Sequence, residues 1–141
     1  MRYADRVVVV TGGSRGIGEG IVRAFIAEGS HVIAISNDRE GGEVLAAALG
    51  SRCAHAYGDV RNEDALAAIF AGVLDDHGRI DCLVNNAGTH LAHRPIDAIT
   101  PAQLRDLLEL NLVSRNASCA PALPVSCVPV FLLPETVTSC D

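Results

Sequence analysis

The chain has 141 residues, of which 49% are hydrophobic and 20% are charged, and its formal net charge is −6. This composition predicts one globular domain with a real core and argues against a disordered or fibrous chain. Because like charges do not cluster and the first residues form no apolar leader, we expect a cytoplasmic protein that binds neither nucleic acid nor membranes.

Apolar runs alternate with helical periods along the first 114 residues. The runs at 6–10, 31–35, 53–57 and 80–84 predict four strands, the first of which is almost pure valine. Single strands that alternate with single helices predict right-handed βαβ units, and therefore an α/β fold with a doubly wound parallel sheet. The apolar stripes expected on the first three helices are Ile17, Ile21 and Phe25; Val44, Leu45, Ala48 and Leu49; and Leu66, Ile69, Phe70, Val73 and Leu74.

A glycine-rich turn, "TGGSRGIG" at residues 11–18, connects the first strand to the first helix. Parallel sheets bind phosphate at this place, against the free N–H groups of a helix N-terminus. Gly12 permits a tight turn, Gly16 lets the backbone approach a pyrophosphate, and Gly18 lets the helix pack closely. The spacing differs from G-x-G-x-x-G, and the position between strand and helix makes the motif informative.

The fourth strand ends in "NNAG", residues 85–88, at the same edge of the sheet. Two amides and a small-residue turn there can tie strands together and line a cofactor crevice. Taken alone, the motif would first be interpreted as an ordinary Asx-type turn.

The last predicted helix begins at Thr100, with Pro101 at its first position and Gln103 placed for a capping box. Its inward face is expected to carry Leu104, Leu107 and Leu108, and Asn111 follows on that face. A buried amide needs partners, so Asn111 is either a core residue bonded to backbone or a functional one.

These motifs resemble those of the short-chain dehydrogenase/reductase (SDR) family. They are TGxxxGIG, Asp59-Val60 after the third strand, NNAG after the fourth and Asn111 in the next helix. The resemblance implies a Rossmann-type sheet of strand order 3-2-1-4 and NAD(P)-dependent hydride transfer between a nicotinamide and an alcohol or ketone. It also implies a small-molecule substrate and, commonly in this family, a homo-oligomer.

The resemblance gives individual residues expected roles. Gly12, Gly16, Ile17 and Gly18 would hold the pyrophosphate, helped by Ser14; Asp59 and Val60 would frame the adenine; Asn86, Ala87 and Gly88 would flank the adenosine ribose; and Asn111 would hold a water in the proton relay.

The end of the second strand decides between NAD and NADP. An acidic residue there binds the ribose 2′-hydroxyl and repels a 2′-phosphate, but this chain has Ser36 followed by Asn37. Arg15 in the glycine turn is placed to face a 2′-phosphate, and Arg39 is a weaker candidate. The sequence therefore favours NADP, although Arg15 as a solvated loop residue is the alternative.

The residues that perform the family's chemistry are missing after Asn111. The resemblance implies a serine and a Tyr-x-x-x-Lys pair there, yet the chain has no lysine and no tyrosine beyond Tyr57. Tyr57 and Arg61 match the Tyr-x-x-x-basic spacing by accident, in the wrong element. We therefore expect a truncated, inactive oxidoreductase; the alternative is a non-catalytic dinucleotide-binding fragment or a partner of an intact subunit.

The sequence changes character at residue 115. Residues 115–141 hold four of the six prolines and three of the five cysteines, and predict an irregular tail after the dinucleotide-binding part at 1–114. Our hypothesis is a lost reading frame between Val113 and Asn116, through frameshift, read-through or splicing; a genuine divergent C-terminus is the alternative. Without a fifth strand, strand four would keep an unpaired edge that favours aggregation.

Overall fold

The computed structural model describes residues 2–90, 95–114 and 128–131; at Ile96 and residues 128–131 it describes the backbone. The elements, in chain order, are β1 Val7–Thr11, α1 Gly16–Ala27, β2 His31–Ser36, α2 Arg39–Leu49, β3 Cys53–Tyr57, α3 Glu63–His77, β4 Cys82–Asn85, α4 Pro101–Leu108 and β5 Val128–Phe131. A π-helical turn, Glu109–Val113, extends α4.

The strands form one parallel sheet of order β3-β2-β1-β4-β5. Val9 of β1 lies between Ile33 of β2 and Leu83 of β4, so the valine run occupies the centre of the sheet. The predicted fold class and the order of the first four strands are confirmed. The carboxyl ends of these strands meet at one edge, where the glycine turn and NNAG lie.

The fifth strand corrects the expectation of an unpaired edge at strand four. Val128–Phe131 lies parallel to β4, with Pro129 opposite Leu83. A proline lacks the N–H that a central strand needs, but an edge strand tolerates it, and within the described residues β5 pairs with β4 alone. The remainder of the predicted irregular tail, residues 115–127 and 132–141, lies outside the described residues.

The core has two layers because side chains alternate along β1. Val7 and Val9 pack with Phe70 of α3 on one face. Val8 and Val10 pack with Val22 of α1 on the other face, which α2 also covers. The predicted stripe of α3 is confirmed, since Leu66, Phe70 and Val73 are buried and Ile69 and Leu74 pack against them.

The predicted faces of α1 and α2 are partly wrong. Ile17, in the first turn of α1, is 65% exposed, whereas Ile21 and Phe25 pack against the core as predicted; the buried residues of that helix are Gly18 and Val22. In α2, Val44 and Ala48 are exposed while Leu45 is buried. Short helices with many alanines and glycines give an ambiguous stripe, and packing selects the face.

The inward face of α4 also differs from the prediction. Leu104 and Leu108 are about half exposed, at 47% and 48%. Leu110 packs against the α3 side of the core and Ser114 is buried. The π-helical turn changes the angular spacing of successive side chains, so a stripe counted at the α-helical period misses this face. The predicted capping box between Thr100 and Gln103 is present.

Asp81 ties the amino-terminal edge of the sheet together. Its carboxylate accepts hydrogen bonds from the Val7 N–H at 2.8 Å and from the side chains of Arg6 and Arg79 at 2.7 and 2.9 Å. Burial alone raises the pKa of Asp81, but these hydrogen bonds and positive charges outweigh it, and the pKa lies below its usual value. The carboxylate therefore stays ionised and anchors the loop before β4 to the start of β1.

Candidate functional site

The glycine turn folds back onto β2 at the carboxyl edge of the sheet. The N–H groups of Gly12 and Gly13 donate to the carbonyl oxygen of Ile35 at 2.8 and 3.3 Å. Gly12 and Gly16 have φ values of +66° and +57°, a region that favours glycine. A turn that needs this backbone twice therefore favours glycine at both positions.

The N-terminus of α1 presents N–H groups that no side chain caps. The N-cap residue is Arg15, whose extended backbone starts the helix and whose side chain makes no cap hydrogen bond. An ideal Cβ placed on Gly16 would meet nothing within 4 Å, so open space lies in front of the first turn. Free N–H groups, the helix dipole and open space together suit a phosphate.

Asn86 joins the glycine turn to the end of β4. Its side-chain Nδ2 donates to the carbonyl oxygens of Thr11 and Gly12 at 3.1 and 3.2 Å. In return, the Thr11 hydroxyl oxygen accepts hydrogen bonds from the N–H groups of Asn86 and Ala87, both at 3.1 Å. NNAG is therefore more than a local turn, because it fixes the position of the glycine turn.

Ser36 marks the far end of the site, at the end of β2. Its hydroxyl lies 3.1 Å from the carbonyl oxygen of Asp38 and 2.9 Å from Nε2 of His55. The Asp38 side chain is engaged elsewhere, accepting from the Gly41 N–H at the start of α2. A serine and an N-cap aspartate thus stand where a free carboxylate would select a ribose hydroxyl.

Asp59 forms a two-point ion pair with Arg61. The Arg61 Nε and Nη2 atoms lie 3.0 and 2.6 Å from the two carboxylate oxygens, and the Arg61 N–H also donates at 2.9 Å. The side-chain hydrogen bonds of Arg61 lower the pKa of Asp59 despite partial burial. A base that binds Asp59 would share this carboxylate with Arg61.

A cleft of about 560 Å³ runs along the carboxyl edge of the sheet, within the range of small-molecule sites. Arg39, the weaker candidate for a 2′-phosphate, is not among its lining residues, but thirteen other residues predicted to bind the cofactor are: Gly12, Ser14, Arg15, Gly16, Ile17, Gly18, Ser36, Asn37, Asp59, Val60, Asn86, Ala87 and Gly88. The sequence missed five lining residues, Ile35, Gly58, Arg61, Thr89 and Leu110. Arg61 carried a signal, since it follows Asp59 by two positions, but its pairing was not anticipated.

Asn111 stands behind this cleft, in the π-helical turn. Its Oδ1 accepts from the Thr89 N–H at 2.8 Å, and its Nδ2 donates to the Thr89 carbonyl oxygen at 2.7 Å. The sequence left two alternatives open for Asn111, and this arrangement is the one in which its side chain is bonded to backbone. The side chain fixes the strand-end loop after NNAG, and the water-holding role implied by the resemblance stays a prediction.

Comparison with known proteins places the chain among dehydrogenases. A family model described as short chain dehydrogenase matches residues 6–125. L-fucose dehydrogenase of Oryctolagus cuniculus is 42% identical over 87% of this chain and 43% of its own length. Cis-1,2-dihydrobenzene-1,2-diol dehydrogenase of Pseudomonas putida is 34% identical over 88% of this chain and 46% of its own length.

Solved structures agree. A short-chain dehydrogenase/reductase from Brucella melitensis, described as a glucose/ribitol dehydrogenase, matches with a TM-score of 0.83 and 32% identity over 89% of this chain and 53% of its own. A metagenomic short-chain oxidoreductase in complex with NADP matches with a TM-score of 0.80 and 33% identity, over 88% and 57%. The chain thus spans about half the length of these relatives.

Proposed function

Because the chain belongs to the short-chain dehydrogenase family, we propose that its cleft binds a nicotinamide dinucleotide and that its lineage is that of an NAD(P)-dependent oxidoreductase. The observation that carries this proposal is the gathering of thirteen sequence-predicted residues around one cleft at the carboxyl edge of the sheet. Ligands of open α/β sheets bind at this edge.

The residues of the cleft fit such a ligand. The uncapped first turn of α1 and the open space before Gly16 would receive the pyrophosphate. Asp59 and Val60 would border the adenine, and Ser36 and Asn37 would lie nearest the adenosine 2′-position. When bound, the dinucleotide supplies hydride transfer to or from a carbon that carries oxygen.

The cleft favours NADP over NAD. No carboxylate that is free of other hydrogen bonds stands at the end of β2, because Asp38 caps α2 and Ser36 occupies the strand end. Arg15 is exposed and forms no salt bridge with any described residue, so its charge is available to a 2′-phosphate. Arg39 is less suitable, since it stacks over the Tyr57 ring at 4.2 Å and pairs with Glu43.

We propose that this chain binds the dinucleotide without turning over an alcohol or ketone. In the family, a tyrosine acts as the general acid or base and a lysine lowers its pKa. This sequence contains no lysine, and arginine cannot serve as a tunable amine. A binder of this kind would be a non-catalytic fragment or a partner of an intact subunit.

A titration with NADPH and NADH, followed by nicotinamide fluorescence, tests the binding proposal. We expect saturable binding of both, tighter for NADPH, and Arg15→Ala should remove most of the difference. Arg105→Ala, an exposed arginine on α4, is the matched control. Absence of saturable binding would refute the proposal, and turnover of alcohols that survives removal of contaminating dehydrogenases would refute the inactivity.

The lost reading frame stays a hypothesis. Sequencing the transcript across the codons for 112–141 tests it, because another frame should then encode a serine strand and a Tyr-x-x-x-Lys helix. A cytoplasmic location likewise stays a prediction from the sequence. In the described part of the chain, the helices are too short or too polar to cross a bilayer.

A further inference from the structure

The Ser36 hydroxyl, at the end of β2, has one proton and two possible hydrogen-bond acceptors nearby. Ser36 lines the cleft, and its hydroxyl lies within hydrogen-bond distance of both the Asp38 carbonyl oxygen and Nε2 of His55. A hydroxyl has one proton to donate and two lone pairs that accept. The protonation of His55 on β3, behind the cleft, therefore affects what Ser36 offers to a ligand.

The position of His55 depends on a glycine. Gly42 of α2 is buried, and a Cβ at this position would overlap the imidazole ring of His55. The half-buried ring consequently fits between α2 and the end of β2, where it reaches Ser36. This packing fixes the imidazole against the serine and distinguishes the contact from a chance meeting of surface side chains.

The charged groups around His55 come from α2 and from the turn before it. Burial lowers the pKa of His55 most, and Arg39 lowers it further, while the carboxylates of Glu43 and Asp38 and a hydrogen bond with the Ser36 backbone raise it. The net direction is downward, so the imidazole is neutral at neutral pH. It gains its proton below the pH at which a histidine ordinarily titrates.

The two protonation states present opposite hydrogen-bonding groups to the cleft. When the ring is neutral and Nε2 carries no proton, Nε2 accepts a hydrogen bond from the Ser36 hydroxyl. The serine oxygen can then only accept a hydrogen bond from a ligand, which suits a ribose 2′-hydroxyl. A protonated ring must donate at Nε2, so the Ser36 hydroxyl no longer donates to the ring and can donate to the Asp38 carbonyl oxygen or to a ligand. A donor backed by a positive charge suits the oxygens of a 2′-phosphate.

On the basis of the proposed dinucleotide cleft, we propose that His55 is a positioning residue that sets the cofactor preference through Ser36. Protonated His55 favours the dinucleotide with a 2′-phosphate, and neutral His55 favours the one with a free 2′-hydroxyl. The positive charge of Arg15 favours NADPH in both protonation states of His55, so the pH dependence of the preference comes from His55.

The test is a set of NADPH and NADH titrations between about pH 5.5 and about pH 8.5. The 2′-phosphate itself titrates near pH ~6, which also changes NADPH binding with pH. For each protein we therefore follow how the ratio of the NADPH and NADH dissociation constants changes with pH, and we compare that change between variants. From high to low pH, the wild-type ratio should shift toward NADPH by about tenfold more than that of His55→Gln. His77→Gln, an exposed histidine at the end of α3, should behave as wild type.

A second measurement needs no variant. Because coupling between a proton and a ligand is reciprocal, the NMR titration of His55 in the wild-type protein should give a higher pKa with NADPH bound than with NADH. Equal pKa values, or equal pH dependence in wild type and His55→Gln, would overturn the role of His55 while leaving the cleft intact. Failure of both dinucleotides to bind at every pH would overturn the proposed function itself.

Discussion

The contact between Gly18 and the glycine turn gives the sharpest test of the cleft. A Cβ on Gly18 would overlap the Gly12 carbonyl oxygen and lie 2.7 Å from Nδ2 of Asn86. Neither neighbour can move freely, because Asn86 is bonded to the carbonyl oxygens of both Thr11 and Gly12. Gly18→Ala must therefore push the first turn of α1 away from the end of β4.

The magnitude follows from these contacts. Overpacking of one methyl group against backbone costs about 1–3 kcal/mol. Relief of the clash displaces the N–H groups that would hold the pyrophosphate, and a hydrogen bond to a charged group contributes about 1.5–3 kcal/mol. We therefore expect NADPH affinity to fall by about tenfold to a hundredfold, together with a lower free energy of unfolding.

Gly20→Ala is the matched control on the same helix. A Cβ on Gly20 would meet nothing within 4 Å, and the substitution should stabilise α1 by about 1 kcal/mol with unchanged NADPH affinity. Fluorescence titration and urea unfolding of the two variants, beside the wild type, measure both quantities. If Gly18→Ala bound NADPH as tightly as Gly20→Ala does, the proposed placement of the pyrophosphate at this helix would be wrong.

Three further predictions concern the support of the sheet and the cleft. Asp81→Asn should lower the free energy of unfolding at neutral pH by about 1–3 kcal/mol. Because the pKa of Asp81 is depressed in the folded protein, its stabilising contribution is present above the unfolded pKa of about 3.9 and is lost on acidification. Urea unfolding at about pH 3 should therefore show a smaller difference between the variant and the wild type. Thr100→Ala removes the capping box and should cost about 1 kcal/mol, seen as faster amide exchange in α4, whereas Thr100→Ser should retain the cap. Asn111→Ala loses both hydrogen bonds to Thr89 and should lower the melting temperature and weaken NADPH binding. Unchanged values would contradict the anchoring role.

Sequence reasoning succeeded where the signal was local. The valine run of β1 and the glycine turn after it are read directly from neighbouring residues, and both lie where they were expected. The stripe of α3 was equally clear because the helix is long and its apolar residues recur regularly.

The incorrect or missing predictions concern residues whose contact partners are distant in sequence, and a helix whose period changes along its length. The pairing of β5 with β4 joins Val128 to Cys82, and no local pattern near either residue announces it. The inward face of α4 was misplaced because the helix turns π-helical just before Asn111. His55 went unnoticed since its importance comes from Ser36, on the neighbouring strand, and from the space left by Gly42.

Binding and chemistry belong to different parts of this architecture. All thirteen predicted cleft residues come from the segment between Gly12 and Gly88, on β1 to β4 and the connections that follow them. The resemblance to the family implies that its acid–base pair belongs to elements after Asn111, outside the segment that lines the cleft. A loss of turnover therefore predicts nothing about the cleft. Absence of dinucleotide binding by the wild-type chain, in contrast, would refute the proposed role of the cleft, because the contacts of Asn86 and Thr11 that support the glycine turn are present.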